Sequence, residues 1–175
     1  RKYPLVIFLH GAGERGDDNF AQLKHGMKNF LDAGRRKEMA CYVIAPQCPK
    51  DGKWSDVDWS AKSHVTPVDP SLSLKLTMEV VESMIETSGV DKTRIYITGL
   101  SMGGYGTWDA LARYPNLFAA GAPICGGGDP AVASKMAKTP IWAFHGTKDT
   151  VVKPERSREM IEALKKSGAE PKYTE

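Results

Sequence analysis

Short apolar runs of strand length alternate with longer stretches in which apolar residues recur every three or four positions. The runs at 4–9, 41–45, 94–99, 119–124 and 140–145 predict strands. Their branched aliphatic residues follow one another without strict alternation, as in strands buried on both faces, which predicts a parallel sheet covered by helices. The clearest helix lies between the second and third runs. Asp69 is placed to cap it, Pro70 fits its first turn, and Leu72, Leu76, Val80, Val81, Met84 and Ile85 form an apolar stripe that Gly89 ends. A second spans about 154–166, with Met160, Ile161 and Leu164 turned inward and Gly168 at its end. Residues 171–175 read as the start of another strand. The stretch from Pro46 to Pro67 has no period and carries Trp54 and Trp59, which predicts a long loop over one end of the sheet.

Composition narrows this picture. A chain of 175 residues, 41% hydrophobic and 26% charged, can bury the core of one α/β domain, so residues 1–175 read as one domain. It begins at Arg1 and enters a buried-type strand almost at once, so a piece of a longer protein is expected. The formal charge of +3 is small, and the densest basic clusters, Arg35-Arg36-Lys37 and Lys165-Lys166, read as solvated helix faces. A nucleic-acid partner is therefore not expected. No apolar run approaches the roughly 18 residues of a membrane span. Cys41 and Cys48 are separated by an extended path too long for a disulfide, so three free, mostly buried thiols are expected. Trp108 and Trp142, inside a helix and a strand, are expected in the core.

The chemistry concentrates where predicted strands end, the edge at which open parallel sheets bind ligands. Gly99-Leu100-Ser101-Met102-Gly103 places a serine between two glycines, with strand-like Ile95-Tyr96-Ile97-Thr98 before it and a helix-compatible segment, Thr107 to Arg113, after it. That context predicts a nucleophile elbow, a turn so tight that the positions two before and two after the serine must lack side chains. After the first strand, His10-Gly11-Ala12-Gly13-Glu14-Arg15-Gly16 can turn backbone N–H groups toward a neighbouring oxygen. An oxyanion hole from the N–H groups of Ala12 and Met102 is expected, with Gly13 the other choice for the first donor. A phosphate loop would need a Gly-Lys-Ser/Thr ending, which this stretch lacks.

An acid is needed beyond the serine. Asp149, in His145-Gly146-Thr147-Lys148-Asp149, is the first candidate, and an Asx turn or helix cap is its structural alternative. Asp129 is the rival, and Gly126-Gly127-Gly128 before it is expected to floor the pocket. The base should be a histidine beyond the acid. His10 and His145 read as loop-holding residues, His25 lies in a polar connection and His64 reads as a surface loop residue. The base is therefore expected beyond Glu175. Trp54 could stack on a substrate ring or pack its own loop, and Trp59 favours packing.

Together, Leu9-His10-Gly11-Ala12-Gly13-Glu14-Arg15-Gly16, Ala45-Pro46-Gln47-Cys48-Pro49, the run from Arg94 to Gly104 and His145 to Asp149 resemble the α/β-hydrolase superfamily. Within it the chain is similar to the esterase branch of polyhydroxybutyrate depolymerases, feruloyl and acetylxylan esterases and phospholipase/carboxylesterases. The resemblance implies a three-layer α/β-hydrolase fold with a mostly parallel central sheet, truncated at both ends. It implies Ser101 as nucleophile, Asp149 as triad acid and Ala12 and Met102 as oxyanion donors. From their own positions in the sequence, Gly13, Trp54 and Gly127 are expected near the substrate. The resemblance also implies no metal and no cofactor, and favours a secreted or periplasmic setting. The activity expected is hydrolysis of short-chain, aryl or carbohydrate-linked esters, free or on a polymer, through an acyl-serine intermediate. A prolyl-oligopeptidase-type peptidase domain and a non-catalytic binding domain are the alternatives.

Overall fold

The computed structural model describes residues 2–175. Among them, β1 (Tyr3–Leu9), β2 (Tyr42–Ile44), β3 (Val90–Leu100), β4 (Ala120–Ile124), β5 (Trp142–Phe144) and β6 (Lys172–Thr174) form a parallel sheet in the order β2-β1-β3-β4-β5-β6. The helices are α1 (Met27–Leu31), α2 (Ala33–Glu38), α3 (Leu72–Thr87), α4 (Met102–Arg113) and α5 (Glu155–Lys166). The order reverses direction at β1, whose neighbours are β2 on one side and β3 on the other. The loops leaving β1 and β3 thus part at a topological switch point, where such sheets hold their ligands.

Every predicted strand is present, with bounds shifted by one to four residues. The largest shift is at β3, which begins at Val90 because Val90 pairs with Tyr3 and Tyr3 N–H donates to Gly89 O. The polar residues 91–94 hide this extension from a hydrophobic pattern. Leu5, Ile7 and Leu9 of β1 and Ile95 and Ile97 of β3 are fully or almost fully buried, in line with helices on both faces.

The stripe expected on α3 needs correction. Leu72, Leu76 and Val80 are 69%, 50% and 52% exposed, whereas Val81 of the expected stripe is fully buried, Met84 and Ile85 pack partly buried against the core, and Leu74 and Met78, outside the stripe, are buried too. Both rows have helical spacing, so periodicity alone cannot choose between them. The cap chooses: Ser71, not Asp69, holds the helix start, accepting from Leu74 N–H at 3.1 Å and donating to Trp54 O at 2.9 Å. That bond ties the helix to the loop before it and turns the 74/78/81 row onto the sheet.

Trp142 is also not core. It is 46% exposed and stacks on Phe144, on the face of β5 opposite the buried Ala143. On α5, Met160, Ile161 and Leu164 are buried as expected. The three cysteines are free. The long loop runs without regular structure from residue 45 to residue 71. It is tied down by Arg113, which donates to the carbonyls of Pro67, Val68 and Asp69.

Strand register sets up the functional edge. Leu9 pairs with Gly99, Leu100 with Ile124, Ile124 with Phe144 and Phe144 with Thr174. The residues that leave the sheet next, Ser101, Cys125, His145 and Glu175, start from one line across its carboxyl edge.

Candidate active site

Ser101 stands between β3 and α4 at φ 55° and ψ −117°. This pair lies outside the allowed left-handed well, so the backbone is strained for a residue with a Cβ. The surroundings impose it: a Cβ on Gly103 would lie 1.9 Å from Leu9 O, and one on Gly99 would lie 2.4 Å from Gly103 O. Only glycine lets α4 start this close to β1 and β3. Ser101 N–H donates to Ile124 O at 2.9 Å, and although Ser101 is the N-cap of α4 its side chain makes no capping bond. Oγ is thus not consumed by the helix. Met102 opens α4, where N–H groups have no intrahelical acceptor and the helix dipole favours negative charge.

The loop after β1 forms a single 3₁₀ turn at Ala12–Glu14. It is braced from several directions. Cys48 N–H donates to His10 Nε2 at 2.9 Å, which leaves the proton on Nδ1 for Gly11 O at 2.6 Å. Burial lowers the His10 pKa, consistent with this neutral ring. Trp54 Nε1 donates to His10 O at 2.9 Å, Arg15 Nε to Ala12 O at 3.0 Å, and Gln47 Nε2 to Glu14 O at 3.1 Å. The Ala45–Pro49 segment therefore acts as a strut for the candidate oxyanion loop. A lone glutamine has no period or spacing that would announce such a role. Gly13, at the exposed crest of the turn, has open space around it.

Two expected substrate contacts are corrected. Trp54 is 1% exposed and sits edge-on to His10, so it braces the loop from behind and has no free face for a ligand. Gly127 is buried against Arg156 and Tyr105, where a Cβ would lie 2.8 Å from the guanidinium Nε, so it is packing rather than pocket floor. Trp59 is only half-buried, with the Lys53 ammonium 4.9 Å from its ring centre. Its carbonyl accepts from Tyr105 of α4.

The two acids part company in the structure. Asp129 spends both oxygens on backbone: Oδ1 on Ala131 N–H at 3.0 Å and Oδ2 on Thr66 N–H at 2.8 Å. Asp149 spends one. Its Oδ1 accepts from Val151 and Val152 N–H at 2.9 and 3.0 Å, forming an Asx-type turn, while Oδ2 lies 3.5 Å from His145 Nε2. Asp149 and Ser101 both act on Cys125, which follows β4 at φ 41°. Burial pushes the Cys125 thiol upward; Ser101 N–H opposes that shift and the Asp149 charge adds to it.

Each of the four histidines has partners of its own. His10 and His145 hold loops, as expected, and His25 lies at the surface, 3.5 Å from Glu14. His64 is no simple surface residue. It is half-buried, its Nδ1 accepts from Arg156, and its ring packs on Tyr105 at 5.7 Å. Burial, then the Arg156 charge, lower its pKa to about 4. No group of three or more metal-ligating side chains occurs among the described residues, and none of their helices is long and apolar enough to cross a membrane.

A strained serine at the strand-to-helix turn, beside the switch point of a parallel sheet, defines the α/β-hydrolase fold. The chain belongs to the dienelactone hydrolase family, whose model matches residues 59–173. It is similar to the bifunctional acetylxylan esterase/xylanase XynS20E of Neocallimastix patriciarum, 37% identical over 150 residues that make up 85% of this chain. It also resembles poly(3-hydroxyalkanoate) depolymerase C of Paucimonas lemoignei, 31% identical over 127 residues, or 71% of the chain. Among solved structures, a thermostable esterase superposes with a TM-score of 0.91 at 43% identity over 99% of the chain. The chain spans 20% and 28% of the two relatives' lengths and 46% of that esterase.

Proposed function

We propose that this chain carries the nucleophile, the acid and the oxyanion donors of a serine carboxylic-ester hydrolase. The observation that carries the reading is Ser101 at φ 55°, ψ −117°, its side chain free of capping duty and Met102 N–H next to it at the start of α4. In the proposed reaction Ser101 Oγ attacks the ester carbonyl and its proton passes to an imidazole base. The resulting oxyanion is held by the N–H groups of Ala12 and Met102. Collapse expels the alcohol, which takes the proton from the imidazole, and water then releases the acid from the acyl-serine with the same imidazole as base. Asp149 Oδ2 fixes that imidazole. The esterase names of the relatives support carboxylic esters as substrates, with acyl groups on sugars or hydroxyacid polymers in the range to test first. The same kinship supports a secreted setting, since a further relative is described as a secreted protein of Arthroderma benhamiae.

The base in this reading is a histidine following Glu175. Two observations support it: His10, His25 and His64 have partners away from Ser101 and Asp149, while His145, beside Asp149, is buried with both ring nitrogens occupied by Ser157 Oγ and Val152 O; and β6 ends in register with β3, β4 and β5. A segment continuing past Glu175 would leave the sheet at the edge where Ser101 and Asp149 stand. The test is labelling of the full-length protein by a fluorophosphonate probe. Wild type should form a covalent adduct at Ser101, and Ser101→Ala should form none while its melting temperature stays near the parent's. Equal labelling of the Ala variant refutes the assignment.

A further inference from the structure

We infer that His145 is a positioning residue for the triad acid, acting through the Asp149 turn; the inference rests on the reading of Ser101 and Asp149 given above. The His145 side chain is fully buried, yet each edge of its ring has a polar partner. Nε2 faces only oxygens, Val152 O at 2.8 Å and Asp149 Oδ2 at 3.5 Å, and therefore carries the ring proton. Nδ1 lies 2.7 Å from Ser157 Oγ, on α5, and that hydroxyl lies 3.1 Å from Gly126 O. With its proton on Nε2, the ring accepts the Ser157 hydroxyl proton at Nδ1 and so joins the end of β5, the acid turn and α5.

The consequence for the acid follows from the bonds in sequence. His145 Nε2–H holds Val152 O; Val152 N–H holds Asp149 Oδ1; Asp149 N–H in turn donates to Gly146 O at 3.1 Å, next to His145 itself. The ring of contacts closes on the carboxylate through Oδ1 and leaves Oδ2, 3.5 Å from His145 Nε2 and without a backbone partner, available to a further imidazole. Asp149 is 21% exposed, so its immediate surroundings do not pack it rigidly in place. The rigid element under it is His145. A shift of about 1 Å in such a group can cost on the order of 10²-fold in rate.

The geometry separates a positioning role from simple packing. His145→Asn keeps an amide near the Nδ1 side and loses the donor to Val152 O, whereas His145→Gln can carry its amide N–H to the Nε2 position. In the full-length protein, with rates corrected for folded fraction, His145→Asn should lower kcat on an activated aryl ester by about 10²-fold with KM little changed. His145→Gln should restore kcat to within about tenfold of wild type. Combined with Asp149→Asn, neither His145 change should add to the loss already present, because the route through the acid is gone. If the Asn variant does not fold, the Gln variant in the same cycle decides. Losses that multiply with Asp149→Asn, or a folded Asn variant with wild-type kcat, overturn the positioning role while wild-type labelling at Ser101 leaves the esterase reading standing. Wild-type protein that fails to label at Ser101 overturns both.

Discussion

The two sides of the candidate site are built in opposite ways. On the side of β1, the loop 10–16 is held by Cys48, Trp54, Gln47 and its own Arg15, and the parts behind it are buried. On the side of β5, Asp149 is partly exposed and depends on a short turn closed by His145. The difference matches the two kinds of chemistry. Stabilising an oxyanion requires donors already fixed where charge will appear, and any slack is lost rate. Proton transfer requires an acid, a base and a serine in sequence, and in the proposed reaction Asp149 is that acid while the proposed base comes from elsewhere in the protein.

The largest effect should come from the acid side. Asp149→Asn preserves the shape of the turn but replaces the carboxylate that orients and stabilises the imidazole. In the full-length protein kcat should fall by roughly 10⁴-fold, as for tautomer defects in other triads. A fall of less than tenfold, measured on an activated ester, would mean that another acid does this work. Asp129→Asn should instead act on stability, since its oxygens hold Thr66 and Ala131.

The braced side should respond more mildly and mainly through geometry. Trp54→Phe keeps a ring in the core but leaves His10 O without its donor, which costs about 1–3 kcal/mol for a buried group. The resulting slack in the loop should lower kcat by about tenfold, below the roughly 10²–10³-fold seen when an oxyanion donor is lost outright. Thermal unfolding and kcat should fall together. An intact kcat beside a lowered melting temperature would show that the brace serves the fold alone.

The smallest effect concerns the long loop and is a matter of pH. With its pKa held near 4, His64 stays neutral in the folded protein while the unfolded chain takes up a proton near 6.5. Between these values the unfolded state binds more protons, so stability from this group is present above about 6.5 and is lost as pH falls toward 4. Unfolding midpoints measured at several pH values should drop across that window. His64→Asn, which keeps an acceptor for Arg156, should flatten the drop, and parallel slopes would contradict the assignment.

Much of this molecule was legible in its sequence because local constraints wrote it there. Gly99 and Gly103 must be glycine for steric reasons that no distant residue can relieve, so the elbow could be read from five positions. The strands were legible because burial on both faces demands continuous apolar runs. What failed depended on partners far along the chain. The two apolar rows of α3 are equivalent until Ser71 meets Trp54 O, and Trp54 looks like a ligand platform until His10 covers it. Gly127 looked like a pocket floor because nothing local announces that Arg156 packs there. Gln47 and Cys48 carry no role that the sequence alone reveals, since a strut is defined by what it supports. His64 met Arg156, 92 residues away, and so could not be placed by its own neighbourhood.

The central claim is that the nucleophile, oxyanion donors and acid lie within these residues while the base does not. The most direct test compares kcat/KM on a short-chain aryl ester for residues 1–175 and for the protein continued through the first histidine after Glu175. A Ser101-dependent rate at least about 10³-fold higher is expected in the continued protein, with the shorter chain retaining only the residual catalysis of its oxyanion hole and binding. Equal values at the level of an ordinary esterase would contradict it, and would place the base among the histidines already present, His64 first.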